Sequence, residues 1–265
     1  MDASSTDYGA FLAARLPRQE RPLAPYQLPG EQVWIKKAGP RHARWRYFGL
    51  DVAARALRLP VLRPVPNPGG PEAIRIEARR LRQLAAAGLR VPPVLAEARD
   101  GFLMRHLGVP GTVPASLAEE MRDAMPGGAA PVIALWRQGL EALARVHAAD
   151  QCLSQAFARN FVRCPDGVVG YVDFEDDPAA RLPLPVCQAR DVLCYAHSTA
   201  LYLHDVGAFD AGRAIWRDWM ERQPPAVRTM VAISARRLGW MRRLPDDRRW
   251  GRDAQRARLA FDLLR

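Results

Sequence analysis

The clearest chemistry in the chain belongs to Asn160 and Asp173. Between them lie a short apolar run (Phe161, Val162), the turn residues Pro165-Asp166-Gly167, and a second apolar run (Val168–Val172) that closes on Asp173-Phe174-Glu175. Two apolar runs around such a turn predict a β-hairpin. The hairpin sets the Asn and the Asp at the ends of neighbouring strands. An amide oxygen and a carboxylate are hard donors, and a pair so placed can hold Mg²⁺ against a triphosphate, as metal-assisted phosphoryl transfer requires. Taken singly, Asn160 reads as a turn residue and Asp173 as a strand-end cap. Their joint spacing, with the hairpin between, favours the metal-holding reading.

The wider stretch Arg145–Pro178, RVHAADQCLSQAFARNFVRCPDGVVGYVDFEDDP, resembles the catalytic segment of protein-kinase-like phosphotransferases. A helix runs up to His147, an irregular loop ends in Asn160, and the hairpin follows. The resemblance makes Asn160 and Asp173 the two metal ligands. It also puts Gln155, five positions before the Asn, where such enzymes carry the carboxylate that accepts the substrate hydroxyl proton. The loop reads Leu153-Ser154-Gln155 where His-Arg-Asp or His-Gly-Asp is usual. Gln cannot take a proton; it can only orient a hydroxyl through its amide. Glu175, Asp176 or Asp177 could lend the missing carboxylate, although they follow the metal ligand in sequence.

The elements that must position these residues are legible upstream and downstream. Tyr8–Arg15 reads as a short helix. Gln27–Ala38 reads as two strands joined by Pro29-Gly30-Glu31. Val33-Trp34-Ile35-Lys36 is similar to the kinase strand whose Lys contacts the ATP phosphates. Alternation puts Trp34 and Lys36 on one face and Val33 and Ile35 on the other. Lys37 is a rival for the role of Lys36, and a surface Lys is the plain alternative for both. No Gly-x-Gly-x-x-Gly loop precedes them, and Trp34 stands where a small residue usually admits adenine. Glu72–Ala87 has apolar residues at helical spacing and a Gly88 stop. Its Glu77 is placed to pair with Lys36, or else with Arg80 or Arg82 on its own surface. Val91–Glu97 and Gly101–Leu107 read as strands. By the same resemblance, the backbone near Arg105, His106 and Leu107 is the expected adenine contact. A short helix over Pro114–Ala124 and a long one over Pro131–Ala148 lead to the catalytic-like loop. After it, a Pro-rich segment precedes a helix over Gln188–Leu203 that Asp191 opens. This Asp resembles the kinase residue that holds the catalytic-loop backbone; a dipole-favoured helix start is its plain reading. Three further helices are expected at Phe209–Arg222, Ala226–Arg243 and Arg252–Leu264, with Trp216, Trp219, Trp240 and Trp250 as packing residues.

Bulk properties narrow the classes. The chain has 265 residues and is 49% hydrophobic, enough for a large or two-part domain with a real core. It has no apolar run of about 18 residues, and its start is not read as a secretory signal. Four cysteines without a CxxC pair argue against a disulfide framework or zinc site. The net charge is +11, with Arg dominant and Lys nearly absent. Such a surface attracts polyanions, although GC-rich coding also favours Arg. The segment from Gly39 to Gly70 is an Arg-rich insertion. A helix over Arg41–Leu59 would carry Trp45, Phe48, Val52 and Leu57 with arginines flanking, the profile of an interfacial membrane helix or of a core helix with solvated Arg. Its tail reads as an extended loop.

Lys36, Glu77, Asn160, Asp173 and Asp191 together resemble the Gram-negative kinase-like family of the lipopolysaccharide kinases that act on Kdo and core heptose, with relatives described as toluene-tolerance or serine/threonine kinases. The resemblance spans about Gln27–Leu203. It implies an α+β, two-lobed protein-kinase-like fold: residues 1–107 form a small sheet plus one helix with the insertion at 39–70, and residues 108–265 form a larger, mainly helical lobe. It implies ATP and Mg²⁺ as cofactors, an anionic glycolipid or inner-membrane surface as partner, and a cytoplasmic location with peripheral membrane attachment. The expected activity is phosphoryl transfer to a sugar hydroxyl of a lipid-linked glycan or to another hydroxyl acceptor. The alternative is a catalytically impaired pseudokinase serving as a binding module, favoured by Gln155, Trp34 and the absent Gly-rich loop. Nucleic-acid binding rests on charge alone and ranks last.

Overall fold

Asp7 opens the first helix, α1 (Tyr8–Arg15), by accepting the Ala10 N–H at 2.9 Å. The computed structural model describes residues 6–40, 59–65, 67–244 and 251–265. Strands β1 (Leu23–Leu28) and β2 (Glu31–Lys37) form a hairpin across Pro29-Gly30, with Gly30 at φ +80°. That left-handed backbone is open to glycine without steric penalty. The first strand begins at Leu23, not at Gln27, because β2 pairs along its whole length as far as Leu23 opposite Lys36. Strands β3 (Val94–Ala98) and β4 (Gly101–Arg105) complete an antiparallel sheet of order β1-β2-β4-β3. The period of two sends Val33, Ile35 and Leu103 to one face, where they are fully buried against Leu12 and Leu16. The other face carries Trp34 and Lys36 and meets α2 (Gly70–Ala86).

The rest of the chain is mainly helical. Helix α3 (Leu117–Ala124) starts with a reciprocal Ser116–Glu119 capping box. The long α4 (Ala129–Ala148) leads to a second small sheet, β5 (Phe161–Arg163) and β6 (Val169–Tyr171). Helices α5 (Leu184–Asp205), α6 (Phe209–Glu221), α7 (Pro225–Arg237) and α8 (Arg252–Leu263) follow. The large core holds Trp136, Phe161, Tyr171 and Tyr195, all essentially inaccessible. Helices α4 and α5 approach closely at Gly139, where an added Cβ would meet the Tyr195 hydroxyl. That hydroxyl donates to the Trp136 carbonyl at 2.7 Å. The architecture is thus mixed α+β, with a small antiparallel sheet and a helical remainder. No described helix is long and apolar enough to cross a membrane.

Several boundaries differ from the sequence expectation for local reasons. Helix α5 starts at Leu184, because Pro183 and Pro185 sit at its entry, where a proline lacks no needed hydrogen bond. Asp191 therefore lies inside the helix and is fully buried, so it does not open it. The helix expected over Ala226–Arg243 stops at Arg237, and Gly239–Arg243 forms a separate tight turn. Trp216 and Trp219 are buried as expected, but Trp240 is 53% exposed and is not a packing residue. The insertion tail is not extended throughout: Pro60–Leu62 makes a 3₁₀ turn, and Leu59, Val61 and Val65 are buried. The helix expected over Arg41–Leu59 and the role of Trp250 lie outside the described residues, Leu59 excepted.

Candidate active site

The face alternation of β2 delivers Lys36 to a cluster of carboxylates. Its Nζ lies 2.6 Å from Glu77 on α2, 3.0 Å from Glu175 and 3.6 Å from Asp173. Burial works to strip the Lys36 proton, but the Glu77, Glu175 and Asp173 charges more than reverse it and hold the ammonium above its usual range. Glu77 is 3% exposed; burial pushes its carboxyl up, and Lys36 pulls against that. Glu77 also accepts a long hydrogen bond, 3.5 Å, from the Phe174 N–H, so it bridges β2 and the segment after the hairpin. The rival pairings resolve elsewhere. Lys37 donates to the Gln19 carbonyl, Arg80 to the Cys152 carbonyl, and Arg82 pairs with Glu97.

The hairpin positions Asn160 and Asp173 at one edge. The Val172 N–H donates to the Asn160 carbonyl at 3.0 Å. Asn160 Nδ2 donates to the Gln155 carbonyl at 3.0 Å, which leaves its Oδ1 as the acceptor end, the end a metal requires. Asp173 sits at φ +72° and Ser154 at φ +79°. Non-glycine residues in this region carry backbone strain, and such strain gathers at functional sites. Among the described residues, three carboxylates, Glu77, Glu175 and Asp173, gather around the Lys36 ammonium. The donor set therefore fits a hard divalent cation. Among the described residues no group of three or more His, Cys, Asp or Glu forms a closed metal cage. Mg²⁺ shared with phosphates needs only one or two protein carboxylates.

Gln155 is not alone in its place. Asp176, 6% exposed, accepts from the Ser154 hydroxyl and is hydrogen bonded by the Gln155 side chain. Burial pushes its carboxyl up to about 6, against the pull of Arg190. Its neighbours are engaged elsewhere: Glu175 with Lys36 and Asn67, and Asp177 with Arg79. Of that acidic run, Asp176 is the one tied to the loop. The loop is clamped from below by α5. Asp191 accepts the Leu153 N–H at 2.7 Å, Gln188 donates to the His147 and Gln151 carbonyls, and Ser198 accepts the Ala158 N–H.

A cavity of about 300 Å³ opens beside this cluster, lined by Trp34, Lys36, Met104, Val162, Val172 and Asp173 among others. The Trp34 indole N–H donates to His106 Nδ1 at 2.9 Å, and His106 Nε2 lies 3.2 Å from the Val109 carbonyl. Both contacts suit a neutral ring protonated on Nε2. Burial lowers the His106 pKa and supports that state. Trp34 is thus fixed in the cavity wall by its bond to His106. The Arg105 N–H is committed to the Pro93 carbonyl and the His106 N–H to the Gln32 carbonyl. Among the described residues, the Leu107 amide is the one of these three N–H groups with no backbone partner. The Arg105 side chain is engaged by Glu31 at 2.7 Å.

The structure therefore brings Lys36, Glu77 and Asp173 into one cluster and sets Asn160, Gln155 and Asp176 around one loop. Sequence reasoning missed Asn67, which reaches from the insertion tail to Glu175 at 2.9 Å while its own Oδ1 accepts the Gly69 N–H. The Asn-Pro-Gly run signals that turn, but not its destination. No family model matches this chain, and no curated protein does.

Proposed function

We propose that the chain has a two-lobed protein-kinase-like fold and is an ATP- and Mg²⁺-dependent phosphotransferase of the lipopolysaccharide-kinase-like type. It acts on a sugar hydroxyl of a lipid-linked glycan or on another hydroxyl acceptor, on the cytoplasmic side of the membrane. The observation that carries this reading is the Lys36–Glu77 pair held beside Asp173, with Asn160 at the edge of the same hairpin. Lys36 grips the phosphates, and Glu77 keeps the ammonium aimed at them. Asn160 Oδ1 and Asp173 hold the metal. The bound Mg²⁺ supplies charge neutralisation at the transferring phosphoryl group. Gln155, with its side chain bonded to Asp176, orients the acceptor hydroxyl. As the acceptor oxygen bonds to phosphorus and ADP leaves, the hydroxyl proton passes to Asp176. A carboxyl titrating at about 6 is ionised at neutral pH and can accept it.

A second reading has its own support. Gln155 replaces the usual base, and the bulky Trp34 is fastened in the cavity wall where a small residue would admit adenine. Calorimetric titration of ATP with and without Mg²⁺, on the native chain and on Asp173→Asn, separates the two. Mg²⁺-dependent binding that the variant loses supports the enzyme. Absence of binding to the native chain ends the catalytic reading and leaves the binding module.

A further inference from the structure

At the far end of the helical region, α7 gives way to the Gly239–Arg243 turn. Trp240 stands there 53% exposed, the sole aromatic among the large exposed hydrophobics of the described residues. Leu238 just before it is fully buried, so the turn anchors itself in the core and presents the ring outward. Leaving a Trp in water forgoes the burial of a large apolar surface. Around the ring, beside a depression of about 400 Å³, stand Arg236, Arg242, Arg243 and Arg265, all exposed. Among the described lining residues the one acidic side chain, Asp262, is engaged by Arg213 at 3.3 Å. The Arg242 guanidinium donates to the Gly239 carbonyl at 3.2 Å, which holds it beside the ring. Among the described lining residues the guanidiniums therefore outnumber the carboxylates.

We propose that this face docks the protein on an anionic bilayer, the Trp240 ring entering the headgroup layer and the guanidiniums meeting lipid phosphates. An amphipathic ring flanked by arginines is the chemistry of the membrane–water interface. The attraction to anionic lipid amounts to about fivefold in partitioning per Arg near the surface. Single-stranded nucleic acid is the competing polyanion, and it calls for a positive groove with successive stacking rings. Among the described residues the charges here crowd around the single Trp240 ring. The inference is independent of the nucleotide-site reading, because none of these residues takes part in the Lys36 cluster.

The test is flotation with phosphatidylcholine vesicles that contain or lack phosphatidylglycerol, at low and high salt. The native chain should float only with phosphatidylglycerol and release as salt rises. The triple variant Arg236→Gln/Arg242→Gln/Arg243→Gln should lose about a hundredfold in partitioning, three fivefold steps. Trp240→Ala should weaken flotation while leaving the salt dependence in place. A control triple, Arg18→Gln/Arg21→Gln/Arg99→Gln, removes the same charge from exposed positions around the sheet and should retain most of the binding. Circular dichroism and melting curves confirm that each variant folds. No flotation of the native chain overturns the proposal. Equal losses in both triples also overturn it, since net charge alone would then explain the binding. Patch-dependent binding to a single-stranded oligonucleotide without vesicle binding assigns the face to nucleic acid instead.

Discussion

Lys36 and Lys37 are the only lysines in the chain, and they take opposite fates on one strand. Lys36 meets three carboxylates, and Lys37 ties down a backbone carbonyl. Replacing Lys36 with Met removes the ammonium from beside the buried Glu77 and the partly exposed Asp173 and Glu175. Such a loss costs about 3 kcal/mol, because the buried Glu77 is left without its ion-pair partner. Melting curves should show the drop in metal-free buffer and its partial recovery with Mg²⁺. Asp176 makes a second residue-scale prediction. Its folded value of about 6 lies above the ordinary 3.8. Between those values the folded chain holds a proton that the unfolded chain has released, so stability falls as pH rises through the window. The full difference is about 3 kcal/mol. Asp176→Asn cannot titrate, so its stability relative to the native chain should grow from about pH 4 to about pH 6 and then level off. Under the proposed function the same variant should lose the acid limb of the rate profile. Trp34→Ala should open the cavity and raise the His106 pKa toward its ordinary value by exposing the ring, readable by NMR titration. Should Trp34 be what excludes the nucleotide, ATP binding would tighten by about tenfold or more, which is about 1.4 kcal/mol.

At the scale of elements, α5 is the platform on which the loop from Gln151 to Asn160 rests. Three of its side chains, Gln188, Asp191 and Ser198, hold that loop by its backbone. Asp191→Ala strands a buried N–H at Leu153 and should cost about 3 kcal/mol, with faster hydrogen exchange through the loop. The α4–α5 crossing is set by the absence of a side chain at Gly139. Gly139→Ala should overpack it against Tyr195 and lower stability by about 2 kcal/mol in denaturant titration. Periodicity forecast these helices well, because their apolar stripes are long and regular. It could not forecast that Asp191 sits inside a helix, since the prolines that look like breakers occupy a first turn where they are tolerated.

The whole molecule sets an acidic cluster inside a chain of net charge +11. Long-range attraction of polyanions and local demand for a divalent cation then act together on a nucleotide. Under the proposed function, Mg²⁺ with ATP should stabilise the entire fold, by about 2.7 kcal/mol at a hundredfold excess over Kd. The shift in melting temperature should vanish in Asp173→Asn and persist in Trp240→Ala. The cleft and the Trp240 face would thereby be shown to act separately.

The sequence by itself determined the local structure and the identity of the key side chains. The hairpin turn, the face alternation of Val33–Lys36 and the stripe on α2 are set by short-range sterics and burial, which a linear pattern records. The Lys36–Glu77 pairing was anticipated through the kinase resemblance, while the residues by themselves also allowed Glu77 to pair with Arg80 or Arg82. Tertiary structure alone decided the long-range meetings: Asn67 with Glu175, Asp176 with Ser154 and Gln155, and Arg190 with the carbonyls of Val61 and Arg63. It also decided that the amides of Arg105 and His106 are taken by the Pro93 and Gln32 carbonyls and that Trp240 faces water. Hydrogen-bond partners far apart in sequence, and the exposure of a residue that any helix could bury, depend on how the elements pack, and no periodicity encodes that.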